Sequence, residues 1–371
     1  MGVIKVYVFC IDSPERKRIC HKTGLIYLCG EGVEMHTKQI GKNLYLIDLQ
    51  TGGFRNLIAS YVLKGEKTII FETGPTSSIP NLLSGIKELN VDPQNVAYVA
   101  LTHIHIDHGG GVGTLLRTLP NAKVIVHEKG APHLKDPAKL WAASKQTLGF
   151  VAEMFGKPEP VPEDRIIVAS EGMTFDAGAG VKLRALETSG HASHNLSFYE
   201  NQNRGVFPGD ASGAYLAEFD AVYPTTPPPF RPDIALISLD KLISLNPAFL
   251  YYSHFGEASD AVKRLRSYQM QIKHWLQIVE EGLKLGETAE AIRERIFSED
   301  ETIQKVVPAL KSNPVHKKTL IENSVQGFIE FAKNPPNLNV PVLLRGNQSS
   351  CFSQYPYEQA SFCLPQMFSQ R

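Results

Sequence analysis

The stretch Thr102-His103-Ile104-His105-Ile106-Asp107-His108-Gly109-Gly110-Gly111 constrains this chain more than any other. Three histidines and one aspartate fall within six positions. The run before it, Val96-Ala97-Tyr98-Val99-Ala100-Leu101, is apolar and β-favouring, which predicts a buried strand ending where the histidines begin. Residues two apart on a strand share a face. His103 and His105 are therefore expected to point together toward one metal ion. Asp107 and His108 lie past the strand end, where the backbone can turn them toward a neighbouring ion. The glycines remove side-chain bulk and let the chain bend into a helix. A polar loop with merely hydrogen-bonded histidines is the bland alternative, and so dense a cluster of ligand-type residues argues against it.

Three later segments repeat the theme of a strand ending in a glycine or serine turn beside a ligand-type residue. They are Glu187-Thr188-Ser189-Gly190-His191, Phe207-Pro208-Gly209-Asp210 and Tyr252-Ser253-His254-Phe255-Gly256. Any one of them alone reads equally well as a turn. Their appearance in this order after H-x-H-x-D-H resembles the metallo-β-lactamase-fold hydrolases, over about Thr37 to Phe255.

The resemblance implies a site for two divalent metal ions. His103, His105 and His191 would hold one, Asp107, His108 and His254 the other, and Asp210 would bridge. His194 competes with His191 but is read as orienting the loop. Histidine and carboxylate ligands suit zinc, and iron or manganese are compatible. The ions would lie about 3.5–4 Å apart and activate a water as nucleophile. Asp107 would orient that water and carry a proton to the leaving group. Tyr215, in the expected pocket loop 211–230, could donate to a substrate carbonyl as in lactone-cleaving relatives, or simply form a wall with Tyr223. Glu72 stands where the family usually has an Asp that supports a metal-binding histidine.

Pattern and turn signals predict strands at Asn43 to Leu49, Leu57 to Leu63, Lys67 to Phe71, Lys123 to His127, Arg165 to Ala169, Val181 to Glu187, Asn195 to Tyr199, Gly205 to Phe207 and Ala248 to Ser253. Helices are expected at Pro80 to Leu89, Gly111 to Leu119, Leu140 to Phe155 and Arg231 to Leu245. This order suits an α/β (α+β) chain with two sheets and outer helices. The resemblance sharpens it to a four-layer αβ/βα sandwich. The expected divisions are an extension at 1–34, a catalytic domain at 35–256, a helical C-terminal subdomain at 257–334 and an extended tail at 335–371. The subdomain could cover the site or mediate a homodimer. His127 and His133 read as surface or structural residues.

Composition bounds the function. Lys plus Arg and Asp plus Glu are 38 each among 371 residues, so no net charge draws the chain to nucleic acid or an anionic membrane. No apolar run is long enough to span a bilayer. Five cysteines, an odd number with no C-x-x-C pair, suit reduced thiols. The start lacks a signal-peptide pattern, so the cytoplasm is expected. The expected activity is metal-dependent hydrolysis of a carboxylic ester, lactone or thioester in a small-molecule substrate. The alternatives are a phosphodiesterase or nuclease, a β-lactam-cleaving enzyme, or a metal-binding protein without catalysis.

Overall fold

Strands project successive side chains to opposite faces, and several here are apolar on both. Such strands need cover on two sides. The computed structural model describes residues 36–335 and the backbone of three short preceding strands, Cys10–Ile11, Ile19–Lys22 and Leu25–Leu28. Of the strands expected in the extension, GLIYLC coincides with Leu25–Leu28, while IKVYVF lies outside the described residues, as does the tail from residue 336.

The first sheet has seven strands in sequence order: β1 (Thr37–Gly41), β2 (Leu44–Asp48), β3 (Ala59–Leu63), β4 (Thr68–Phe71), β5 (Val96–Ala100), β6 (Lys123–His127) and β7 (Ile166–Ala169). Pairing is antiparallel up to β4 and parallel from β4 to β7. The second sheet has six, in the order β8 (Thr174–Gly178), β9 (Val181–Glu187), β10 (Leu196–Glu200), β11 (Gly205–Phe207), β14 (Phe249–Tyr252) and β15 (Gly256–Ala258). Between β11 and β14 the chain makes a separate hairpin, β12 (Ala214–Leu216) and β13 (Ala221–Tyr223).

Alternation sorts the core into layers. Tyr61, Leu63, Ile69, Phe71, Ala100 and Ile125 of the first sheet meet Leu183, Phe198, Phe207 and Tyr251 of the second. Phe71 and Phe207 stack with ring centroids 3.7 Å apart. The intervening residues Val62, Ile70, Val99 and Val124 face outward onto α1 (Ile79–Glu88), through Ile79, Leu82 and Ile86. On the other side Leu186, Val206, Leu250 and Tyr252 pack against α6 (Pro232–Ser244) and later helices. The result is the expected four-layer sandwich.

Several expectations needed correction. Helix α2 covers only Val112–Leu115 and gives way to a turn at 116–118. The single helix expected at Leu140 to Phe155 is two, α4 (Ala138–Leu148) and α5 (Phe150–Phe155), separated by Gly149 at φ 57°. A short α3 (Ala131–Lys135) precedes them. Strands β8 and β15 were not anticipated; both are short and contain glycine, which weakens the signal.

After the sandwich come α7 (Ala261–Lys284), α8 (Ala289–Glu299), α9 (Glu301–Ser312), α10 (Pro314–His316), a π-helical turn at Lys317–Glu322 and α11 (Ser324–Lys333). The buried face of α7 includes Leu265, Tyr268, Ile272, Trp275, Leu276 and Val279, as its helical spacing predicts. It shares a core with the second sheet. Asp300 caps α9 by accepting from Thr302 and Ile303, and its other oxygen accepts from Trp275 Nε1 at 2.8 Å. Trp275 also packs on Tyr223 and Phe328. Trp275→Ala should cost about 3–5 kcal/mol in chemical denaturation. A loss below about 1 kcal/mol would show that these helices are not fastened through the indole.

Candidate metal centre

The organising segment is held by its backbone. His105 O accepts from the N–H groups of His108 and Gly109, both at 2.9 Å. Thr73 donates to His108 O through both its N–H and its hydroxyl. The turn is so tight that a Cβ on Gly110 would stand 2.1 Å from Ile106 O. From the second sheet, Leu196 N donates to Thr102 O at 2.7 Å, tying the two sheets together beside the site. Gly209 adopts φ 56°, and a Cβ there would press on Thr102 Oγ1 at 2.3 Å; the adjacent Asp210 is thereby brought to the histidines.

The predicted ligand residues converge. His103 Nε2 and His191 Nε2 each lie 3.0 Å from His105 Nδ1. His254 Nε2 lies 3.2 Å from His108 Nε2. Asp107 Oδ2 is 3.5 Å from His254 Nε2 and 3.9 Å from His108 Nε2. Asp210 reaches both groups. Its Oδ1 is 3.3 Å from His108 Nε2, and its Oδ2 is 3.7 Å from His191 Nε2. Three sets could each hold an ion: His103, His105 and His191; Asp107, His108 and His254; and His103, His108 and Asp210.

Proton bookkeeping supports a cation. His191 Nδ1 donates to Thr225 O at 2.6 Å, and His254 Nδ1 donates to Leu57 O at 3.0 Å. In a neutral imidazole the other nitrogen then carries a lone pair. His191, which burial holds below the ordinary imidazole range, therefore turns a lone pair, not a proton, toward His105. One proton on His105 Nδ1 could satisfy only one of the two nitrogens facing it. Asp210 Oδ1 is buried with no hydrogen-bond partner. This donor set fits divalent metal.

The electrostatics agree. Burial, and then His108 and the other histidines, hold His103 well below the ordinary imidazole range; burial, with His191 and His194, does the same to His105. Burial alone would raise Asp107 and Asp210, but His108 and His254 hold both carboxylates well below their usual range. His108 is raised despite burial, because Asp210, Asp107 and Glu72 surround it. The centre is a place where added positive charge is favoured.

Glu72 does reach inward. Its Oε1 accepts from Thr102 N–H and from the Thr102 hydroxyl. Its Oε2 lies 3.7 Å from His108 Nδ1, and neither of those atoms has a hydrogen-bond partner. A small approach would join them as a carboxylate–histidine pair. Tyr215 goes elsewhere: its hydroxyl donates to Asp220 Oδ1 at 2.9 Å and its ring packs on Tyr252 and the Arg264 guanidinium. Tyr223 is fully buried against Trp275. Neither tyrosine lines the cavity over the centre. Of the expected pocket loop, Thr225, Pro227 and Pro228 do. His127 is structural, accepting from Lys129 N–H. His133 and His194 line the cavity, and burial, then the neighbouring histidines, bring His194 down to about 4.

The cavity measures about 450 Å³. Sequence reasoning missed Lys139 and His316 on its wall, and the main-chain acceptors Leu57 and Thr225, for which a sequence offers no signal. Burial, with His254 nearby, pulls His316 down to about 4, so its ring is neutral at pH 7.

Strand-end histidines and aspartates on an αβ/βα sandwich define a metal-binding class of protein. The profile of the Metallo-beta-lactamase superfamily matches residues 54–254, and the chain belongs to that superfamily. It is 31% identical over 249 residues to the metallo-beta-lactamase fold-containing protein ST1585 of Sulfurisphaera tokodaii, covering 66% of this chain and 89% of that one. The crystal structure of ST1585 superposes with a TM-score of 0.52 at 24% identity, over 74% of this chain and 93% of the other. More distant similarity links the chain to N-acyl homoserine lactonase AttM of Agrobacterium fabrum, 30% identical over 30% of this chain and 39% of that one. An atrochrysone carboxyl ACP thioesterase of Pseudocercospora fijiensis is 28% identical over 40% of this chain and 38% of its own length.

Glu72→Ala should weaken metal affinity about 10–100-fold, as loss of a carboxylate behind a ligand histidine does. Competition with a chromophoric chelator would measure it. Affinity unchanged within twofold would leave Glu72 a turn residue only.

Proposed function

We propose that this chain is a dinuclear metal-dependent hydrolase that cleaves a carboxylic ester, lactone or thioester. The observation that carries this reading is the cavity directly over the histidine and aspartate cluster. Its floor includes His105, Asp107, His191, Asp210 and His254, while Leu57, Ile58, Ile104, Phe155 and Pro227 are among its apolar walls. Among the described residues lining it, Lys139 is the one permanent cation. An uncharged acyl group fits such a lining. A nucleic-acid or other phosphodiester substrate calls for a cation-lined approach. The lactonase and thioesterase names among the relatives point the same way.

In this reading His103, His105 and His191 would hold one ion and Asp107, His108 and His254 the other, with Asp210 reaching both groups. Zinc suits the donor set, with iron or manganese compatible. When bound, such ions lower the pKa of water and polarise a carbonyl. The chain's own contribution is positional. Thr225 and Leu57 carbonyls fix which nitrogens of His191 and His254 face inward. Asp107, ionised and partly open to the cavity, can accept the proton of the attacking water and return it to the leaving oxygen or sulfur. The apolar walls exclude bulk water, which strengthens every charge interaction within. Tyr215 is given no part in the chemistry. Among the described residues no helix is long and apolar enough to cross a membrane. The odd cysteine count favours the cytoplasm as the place of action.

A panel of lactones, thioesters, simple esters, β-lactams and phosphodiesters tests the assignment with the metal-loaded chain. An acyl substrate should be preferred, and Asp210→Ala should lower its kcat/KM by more than about 100-fold with the fold intact by circular dichroism. Preference for a phosphodiester over every acyl compound would overturn the substrate class. Full activity in Asp210→Ala would remove its bridging role.

A further inference from the structure

Much of the cavity wall comes from outside the strands that build the centre. Helix α4 supplies Leu140, Ala143 and Leu148, and α10 with the π turn supplies Val315, His316 and Leu320. Helix α4 has no fully buried residue; Leu140 and Leu148 lean on the core around Leu57 and also line the cavity edge. The same segments also bring Lys139, Ser144, Thr147, Thr319 and Asn323 to the cavity, and among these neighbours stands an imidazole. The main chain around His316 is well fixed: Asn313 Oδ1 accepts from the N–H groups of Val315 and His316, and Thr319 Oγ1 donates to Val315 O. Val315 is buried and belongs to the core beside Leu57. The ring of His316, by contrast, makes no hydrogen bond, ion pair or ring contact with any described residue. Its ring nitrogens are open to the cavity rather than buried, so a bound molecule can take their hydrogen bond. His316 also leads into a π-helical turn, an irregularity frequent at functional sites.

We infer that this wall is a subsite for an apolar hydrocarbon chain attached to the scissile carbonyl group, and that His316 donates a hydrogen bond to a polar atom of the bound substrate. The inference rests on the hydrolase reading and narrows its substrate class. A neutral histidine can donate from one nitrogen while Leu140, Ala143, Val315 and Leu320 cover the chain. The hydrocarbon can belong to the acyl side or to the leaving group, and the two are separable by experiment.

The metal-loaded full chain would be assayed with p-nitrophenyl acetate, hexanoate and octanoate, and with ethyl and octyl acetate. Burial of methylenes in an apolar wall should raise kcat/KM by at least about 100-fold across one of these series. A rise in the first places the chain on the acyl side, and a rise in the second places it on the leaving group. Ala143→Trp, which fills the wall, should reduce the long-to-short ratio at least about tenfold. His316→Leu should lower kcat/KM about tenfold to 100-fold on every ester, with His316→Gln recovering part of it. Calorimetry provides a readout without turnover: octanoate should bind the chain more tightly than acetate, and Ala143→Trp should abolish the difference. A flat profile in both series with hydrolysis intact, or equal binding of octanoate and acetate, would overturn the subsite. Unaltered kinetics in His316→Leu would overturn the role of the histidine. Failure to hydrolyse any acyl substrate would instead refute the hydrolase reading, and calorimetry would still decide on the subsite.

Discussion

The structure turns on a buried crowding of imidazoles and carboxylates that positive charge stabilises. His103, His105, His108, His191 and His254 crowd around Asp107 and Asp210 in a largely buried volume. The Thr225 and Leu57 carbonyls take the outward protons of His191 and His254 and so turn their remaining nitrogens inward. Two carboxylates held ionised so close together repel each other strongly at low dielectric. Positive charge at the centre turns each of these costs into an attraction. The tight glycine turn at Gly110, the left-handed Gly209 and the bonds from Thr73 and Leu196 all maintain this crowding.

The sandwich explains how distant segments can meet there. The ligand-type residues follow the ends of strands β5, β9, β11 and β14, and Glu72 follows β4. Parallel pairing aligns such ends within each sheet, at β4 with β5 and at β11 with β14. The inner aromatic layer around Phe71, Phe207 and Tyr251 fixes how the sheets face one another. A shift of one residue in any of these strands would turn its alternating side chains to the opposite face. The precision of the centre is therefore inherited from the core.

Much of this was readable in advance, for a physical reason. Val96 to Leu101 and Val181 to Glu187 are compact β-favouring runs, and the ligand-type residues lie within a few positions of strand ends, so local pattern located them. The features that stayed hidden depend on distance or on main chain. No side chain announces that Leu57 and Thr225 offer carbonyls to histidines far along the sequence. Tyr215 looked available because it lies in the expected pocket loop, yet Asp220 and Arg264 draw it away. Gly149 breaks a helix whose apolar spacing read as continuous. His316 lay within a helical region whose packing on the site could not be derived from its periodicity.

The most direct test of the account is a crystal structure of the metal-loaded chain with anomalous data on both sides of the metal absorption edge. Two peaks about 3.5–4 Å apart are expected, one within reach of His103, His105 and His191, the other within reach of Asp107, His108 and His254, with Asp210 touching both. An empty centre, or metal bound only elsewhere on the chain, would contradict it.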